Sequence, residues 1–408
     1  MEYAGKTLQT MDTPMKVRGF SASAAAAGVR KKGRLDIGLI YSDIPAVTAG
    51  VFTTNLVKAA PLTIDIERLK QGMAQAILVN SGCANACNGE AGRQAALQTG
   101  GLAAKALNIP EDLVQLASTG VIGESLNVAA FEKAMPELAA SLSPDGFRAV
   151  AQAMMTTDTR PKMVERSVDI GGVTVNFLGL AKGAGMIMPN MATLLAFVIT
   201  DARIGFPELH RALTAGISRT FNRITIDGDT STNDMALVMA NGLAENPWID
   251  DQAPVYFADF QATLTAMLRD LALMVVADGE GASKFITIRV CGAKETEDAH
   301  RIARTVANSN LVKTAFFGED ANWGRILAAM GRSGVRFDPE KVDISFNGVT
   351  LVKNSLTVGE AAEKQASQVL REKEITVLIT LPDGKACDEV YTCDLSLDYV
   401  KINADYRS

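Results

Sequence analysis

Two uncharged runs, residues 194–200 and 235–239, do most to limit what this chain can fold into. A strand with no polar face must be covered on both sides, so each run belongs inside a sheet that carries helices rather than at a solvated edge. The rest of the sequence supplies both partners. Alanine and leucine at three- and four-residue spacing predict helices over 92–107, 127–142 and 144–155, and further helices over 207–221, 256–275, 295–307, 322–330 and 359–371. Strand-like runs occupy 35–41, 46–53, 74–80, 284–290, 342–346, 349–352, 374–380 and 388–395, and 164–178 reads as a hairpin turning at Gly171-Gly172. Strands and helices mix without strict alternation, which predicts an α/β protein of layered α+β type, its sheets covered by helices and a smaller α/β part at the C-terminal end.

The chain reaches the first of those runs through a loop loosened by Gly183 and Gly185 and bent by Pro189, and the run opens on a single threonine, Thr193. A hydroxyl where a loop becomes a strand can attack the carbonyl just before it, provided donors hold the oxyanion that results. Cleavage between Ala192 and Thr193 would leave Thr193 with an α-amine that titrates at roughly 7.7 to 8.0, its own general base near working pH. The alternative is a glycine-rich turn that merely precedes a buried strand.

Composition removes several function classes. With 408 residues, 48% of them hydrophobic, the chain can bury one large core or two linked ones. A net charge of -6 argues against a nucleic-acid or anionic-membrane partner, since both normally need a concentrated basic face. No run of eighteen uninterrupted apolar residues predicts a spanning helix, and the small-residue run at 21–29 is too short for a secretory signal, so the expected location is the cytoplasm. Five scattered cysteines, Cys83, Cys87, Cys291, Cys387 and Cys393, predict reduced thiols rather than a disulfide framework, and Cys83 and Cys87 have the wrong spacing for a metal knuckle. Only His210 and His300 exist, each in a segment that reads as the polar face of a helix, so a histidine-based triad is not expected.

Five further segments stand out against their apolar surroundings. Ser118-Thr119-Gly120 offers a hydroxyl and a glycine amide that two-donor oxyanion binding needs, although a glycine cap at a helix end reads the same way. The hydroxyls of Thr156, Thr157 and Thr159 suit a small polar ligand and equally suit a turn. Lys182, eleven residues before Thr193, can hold a substrate carboxylate. The segment 227–234 looks at first like a calcium loop but has Val238 where the bidentate glutamate belongs, so it is expected to be a hydrogen-bonded turn beside the site. Glu280, flanked by Gly279 and Gly281, presents one carboxylate that can bind a substrate ammonium. No phosphate loop or full dinucleotide fingerprint occurs.

Taken together, Asn80 through Cys87, Ser118-Thr119-Gly120, residues 156–159, 182–193, 221–222, 227–234 and 278–281, and the terminal 403–408 resemble the ornithine acetyltransferase (glutamate N-acetyltransferase) family over almost the whole chain. The resemblance implies the fold shared with self-processing aminopeptidases and autocatalytic cleavage into an α chain, 1–192, and a β chain, 193–408, associated as a heterotetramer of two α and two β. It implies Thr193 as nucleophile, Thr119 and Gly120 as oxyanion donors, and Thr156, Thr157, Lys182, Thr193, Glu280, Asn403 and Ser408 as substrate-binding positions, with the choice between Thr156 and Thr157 left open. Ser408 departs from the threonine common at the family's C-terminus but keeps the hydroxyl. The implied reaction is ping-pong transfer of acetyl from N2-acetylornithine to glutamate, with no metal or organic cofactor. Acetyl-CoA, which some members accept, is left open as a co-substrate. Two other readings compete: a self-processed aminopeptidase or amidase in which water replaces glutamate, and a non-catalytic amino-acid-binding protein.

Overall fold

The computed structural model describes residues 16–30, 33–188 and 194–405. Ala192, Thr193 and Ser408, all named above, therefore lie outside the described residues.

Among the described residues, eight strands form one sheet: β1 (Phe20–Ala25), β2 (Ile37–Phe52), β3 (Met73–Asn80), β4 (Val114–Ser118), β5 (Lys162–Ile170), β6 (Val173–Lys182), β7 (Leu195–Thr200) and β8 (Met235–Ala240). Their order is β4-β3-β2-β8-β7-β6-β5, with β1 added antiparallel to β2. The two uncharged runs are β7 and β8, parallel neighbours near the middle of that order, with Leu195 opposite Met235. Each face of β7 enters a different core. Ala196 and Val198 pack with one cluster, while Leu195, Phe197 and Ile199 pack with another. The alternation of side chains across a strand therefore fills both layers from one uncharged sequence.

Helices α1 (Ala60–Arg68), α2 (Gly89–Leu107), α3 (Val128–Ala140) and α4 (Phe147–Ala153) serve the first half of this sheet, with α2 and α3 burying Ala96, Ala103, Phe131 and Leu138 against Leu39, Leu78 and Leu116. The opposite layer over β5 to β8 comes from α5 (Phe206–Arg219) and α6 (Pro254–Ala277). Among the described residues α6 is the helix long and apolar enough to cross a membrane. Here it is a core helix, with Phe260, Leu264, Met267, Leu268 and Leu271 fully buried in the cluster that holds Phe177 and Val198.

The second sheet contains β9 (Phe285–Ala293), β10 (Asp343–Phe346), β11 (Val349–Lys353), β12 (Leu356–Thr357), β13 (Glu374–Thr380) and β14 (Ala386–Cys393), in the order β12-β11-β10-β13-β9-β14. It packs with α7 (Thr296–Ala307), α8 (Asn310–Phe317), α9 (Trp323–Gly331) and α10 (Glu360–Val369), and the last helix, α11 (Leu397–Ala404), follows β14. This is the smaller α/β part.

Several expectations change. The runs 35–41 and 46–53 are one 16-residue strand, β2, because a register shift between Tyr41 and Ala46 carries pairing with β3 past Pro45. The alternative reading of 118–120 as a glycine-capped helix end does not hold, since these residues lie at the exit of β4. Cys291 and Cys387 form a disulfide, against the expectation of reduced thiols: antiparallel pairing of β9 with β14 sets them opposite each other, Cα to Cα 4.1 Å, across 96 residues of sequence. His300 is not on a solvated face. It is buried, its Nδ1 2.7 Å from the Arg223 guanidinium and 3.1 Å from the Asp388 carboxylate.

Candidate active site

The site forms where the C-terminal ends of β4 and β6 meet the loop before β9. After β4, the backbone at Thr119 and Gly120 crosses the segment that follows β3, with Thr119 N–H donating to the Asn80 carbonyl at 3.0 Å. The crossing is tight enough to require glycine. A Cβ at Gly120, whose φ is +132°, would stand 2.3 Å from the Gly82 carbonyl carbon. Asn80 and Asn233 secure the crossing. Ser118 Oγ donates to Asn80 Oδ1 at 2.7 Å, and Asn233 Nδ2 donates to the carbonyls of Ala84 and Ser118 at 2.6 and 2.8 Å. The polar segment 80–87, which the sequence singles out without giving it work, is thus the wall against which Gly120 is placed. Gly120→Ala should cost roughly 1 to 3 kcal/mol of stability through backbone overpacking, read as a lowered urea midpoint, and should impair any chemistry that uses the amide.

Gly120 opens on a cavity of about 260 Å³, and Thr156 and Thr157 line it together with Arg30, Arg34, Ser81 and Ile402. Three of the sequence-derived positions, Gly120, Thr156 and Thr157, therefore line one cavity, and Thr119 immediately precedes Gly120 in the chain. Arg30 and Arg34 were not anticipated, since in sequence they look like part of a solvated basic turn. In the fold, Arg34 donates to the Met155 carbonyl, and Arg30 lies over Gly82 and pairs with Glu124 at 3.2 Å.

Lys182, the last residue of β6, is 9% exposed, and its Nζ donates to Thr119 Oγ1 at 3.0 Å. Burial lowers its pKa, against the opposing pull of the Asp158, Asp234 and Glu280 carboxylates. Thr119 is 7% exposed, and neither its hydroxyl proton nor the Gly120 N–H has an acceptor among the described residues. Two adjacent unspent donors at the edge of a cavity can bind one oxyanion.

Glu280 is 6% exposed, anchored by its N–H to the Ala184 carbonyl at 2.8 Å. Its Oε2 accepts from Asn403 Nδ2 at 2.7 Å, so α11 brings a C-terminal position onto a residue 123 positions earlier. Ser396 holds α11 there by donating to the Gly281 carbonyl at 2.6 Å. Gly185 makes the room, since a Cβ on it would stand 2.4 Å from the Glu280 carboxyl carbon.

The segment 227–234 is the hydrogen-bonded turn expected. Asp227 accepts from the N–H groups of Met186 and Ile187 at 2.6 and 2.9 Å, and Thr230 Oγ1 donates to the Met188 carbonyl at 2.9 Å. Asp234 is buried against the Leu194 N–H and Ser231, with burial raising its pKa well above the usual carboxylate range. This one turn thus grips the chain on both sides of residues 189–193.

Beneath the site lies a buried charge cluster that sequence reasoning missed. Lys162 Nζ, wholly buried, donates to Asp158 Oδ1 at 2.7 Å and to Asp278 Oδ2 at 2.6 Å. Asp158 Oδ1 also accepts the Gly183 N–H at 2.7 Å, and Asp278 Oδ2 accepts the Thr159 N–H at 3.1 Å. The cluster ties the loop of Thr156 and Thr157 to the chain beside Lys182 and to the loop of Glu280.

Comparison with known proteins agrees in length as well as in residues. The ArgJ family model matches residues 21–408. A protein of Desulfotalea psychrophila called arginine biosynthesis bifunctional protein ArgJ is 65% identical over 394 residues, covering 97% of this chain and 100% of that one. A protein of the same name from Syntrophotalea carbinolica is 51% identical over 397 residues, covering 97% and 100%. A crystal structure of an arginine biosynthesis bifunctional protein ArgJ from Bacillus halodurans is 44% identical with a TM-score of 0.49, covering 51% of this chain and 97% of that one.

Proposed function

The chain belongs to the ArgJ family, and from that premise we propose that it transfers acetyl from N2-acetylornithine to glutamate, yielding ornithine and N-acetylglutamate for arginine biosynthesis. The observation that carries the chemistry is the pair of unspent donors on Thr119 and Gly120, beside the cavity that Thr156 and Thr157 line.

The reading begins with self-cleavage. Thr193 Oγ attacks the Ala192 carbonyl carbon, the Ala192-Thr193 amide becomes an ester with nitrogen as leaving group, and water hydrolyses that ester. The products are an α chain, 1–192, and a β chain, 193–408, that remain together, two of each in the working assembly. The new α-amine of Thr193 then takes the hydroxyl proton as Oγ attacks the acetamide of the donor. The tetrahedral oxyanion sits between Thr119 Oγ1 and Gly120 N–H, and one such donor is worth roughly 3 to 4 kcal/mol. Ornithine departs with the proton, and the acetyl stays on Thr193 as an ester. Glutamate enters, and its neutral α-amine attacks the ester carbonyl while the same donors hold the second oxyanion. The C–O bond to Thr193 breaks as the α-amine of Thr193 passes the proton from the glutamate nitrogen to Oγ. Proton shuttling by the α-amine needs no metal or organic cofactor, and acetyl-CoA would be a second acetyl donor to the same ester.

Opposite charges on the substrate suit the residues around it. Lys182 holds the donor's carboxylate and Glu280, steadied by Asn403, its δ-ammonium, while Thr156, Thr157 and Ser408 supply neutral hydrogen bonds. Glu280→Gln should raise the Michaelis constant for N2-acetylornithine by roughly 10- to 100-fold, the loss of one charged hydrogen bond. Steady-state kinetics with each substrate varied will show it, and the Michaelis constant for glutamate should rise less. A cytoplasmic enzyme would meet both substrates directly.

The experiment that tests the reading is mass spectrometry of native protein after brief exposure to N2-acetylornithine. Two fragments are expected, with one acetyl on residue 193 that disappears when glutamate is added. Acetate release that ignores glutamate would instead mark a hydrolase, and an intact unlabelled chain would leave no enzyme of this type.

A further inference from the structure

We infer that Lys182 is a positioning residue for the oxyanion: by donating to the Thr119 hydroxyl oxygen it leaves that hydroxyl's only proton to point at the reacting carbonyl. The inference rests on the acyl-transfer reading above and goes beyond it, since that reading gives Lys182 only a substrate carboxylate to hold.

The argument is one of hydrogen-bond valence. A threonine hydroxyl carries one proton and two lone pairs, whereas a lysine ammonium carries protons only. At 3.0 Å from Thr119 Oγ1, Lys182 Nζ therefore occupies a lone pair. The remaining lone pair cannot satisfy the proton, which finds no acceptor among the described residues although Thr119 is nearly buried. An unmade bond on a buried donor is costly, so the arrangement is reasonable only if an acceptor arrives during turnover. The Gly120 N–H, the next donor along the chain, is unspent in the same way. Without Lys182 the hydroxyl would be free to rotate, and its proton could turn to any passing water or carbonyl.

The lysine is itself held. It ends β6 with Ala181 paired to Lys162, and the adjacent Gly183 N–H is fixed by Asp158 Oδ1 at 2.7 Å. Three carboxylates, Asp158, Asp234 and Glu280, favour its ammonium form against burial. The donor to Thr119 thus sits on a fixed strand end with three carboxylates around it, and charge on a donor polarises the hydroxyl toward giving up its own proton.

The test is a double-mutant cycle on Thr119→Val and Lys182→Met, reading the single-turnover rate of acetyl-enzyme formation at saturating N2-acetylornithine, per cleaved chain. Thr119→Val should slow that rate roughly 100-fold, Lys182→Met by about 10- to 100-fold, and the double variant no more than about threefold beyond the slower single one. Lys182→Arg, which still donates, should recover most of the lost rate. Fold-losses that multiply overturn the inference, as does a Lys182→Met enzyme that keeps its saturated rate and loses only affinity. Self-cleavage raises an oxyanion on the Ala192 carbonyl, so variants that stay uncut are scored in the same cycle by their cleavage rate during cell-free synthesis, where multiplying losses again overturn it. A wild-type chain that is never acetylated would sink the acetyltransferase reading instead, leaving the cleavage cycle to judge Lys182.

Discussion

Thr193→Ala is expected to leave the 408-residue chain whole, a single band near 43 kDa on a denaturing gel, and to lower acetyl transfer by roughly six orders of magnitude. Both effects follow from one atom. The alanine has no oxygen with which to attack the Ala192 carbonyl, so no amine is released, and the chain then lacks nucleophile and base together. Thr193→Ser keeps the oxygen and should still cleave, more slowly, because loss of the methyl frees χ1 and the hydroxyl spends less time facing the carbonyl. The fold should not suffer. The grips on either side of the bond, Asp227 on Met186 and Ile187 and the pairing of Leu195 with Met235, involve no side chain of residue 193. An unchanged thermal midpoint with no cleavage is therefore the expected pair of results, and cleavage at the normal rate in the alanine variant would refute the assignment.

What could be read from the sequence was what short-range pattern determines. The uncharged runs became β7 and β8, and Gly171-Gly172 turned the hairpin, with Ile170 opposite Val173. The residues of 118–120, 156–157, 182 and 280 were singled out as polar or glycine-rich islands in apolar surroundings, and the fold brings them into one region. What escaped depends on partners far along the chain. β1 is a run of small residues whose strand character comes from pairing with β2, not from β-branched side chains. His300 sits on a helix whose pattern looks solvated until Arg223 and Asp388 arrive from other elements. Asp158 and Lys162, four apart, suggest a helical ion pair, but Pro161 intervenes and the second carboxylate, Asp278, is 116 residues away. The arginines at the cavity share this cause, since a basic turn and a binding wall have the same composition.

That buried cluster gives the largest expected change in stability. Lys162→Met should cost about 3 to 5 kcal/mol, because it removes the cation that bridges two buried carboxylates. Urea unfolding at pH 7 measures it. The acid limb supplies an independent check. Burial alone would push the Asp158 carboxyl up, but the Lys162 and Lys182 ammoniums outweigh it and hold the value down at about 2. A carboxyl depressed in the folded state contributes stability that is complete above its unfolded value, near 4, and is lost as pH falls toward 2. With Lys162 gone, the folded value must rise, so the loss should begin at higher pH than in the wild type, and the curve of thermal midpoint against pH should shift in that direction. Activity should fall further than stability explains, since Asp158 fixes the Gly183 N–H beside Lys182, and Asp278 fixes Thr159 and begins the loop of Glu280. Replacing Asp158 and Asp278 by asparagine together with Lys162→Met removes the stranded charges and should restore part of the stability. It should not restore turnover, because amides cannot hold Lys182 in its charged form or the two loops in register. A triple variant that recovered both would mean the cluster only fills space; recovery of stability alone separates its electrostatic cost from its work in placing the site.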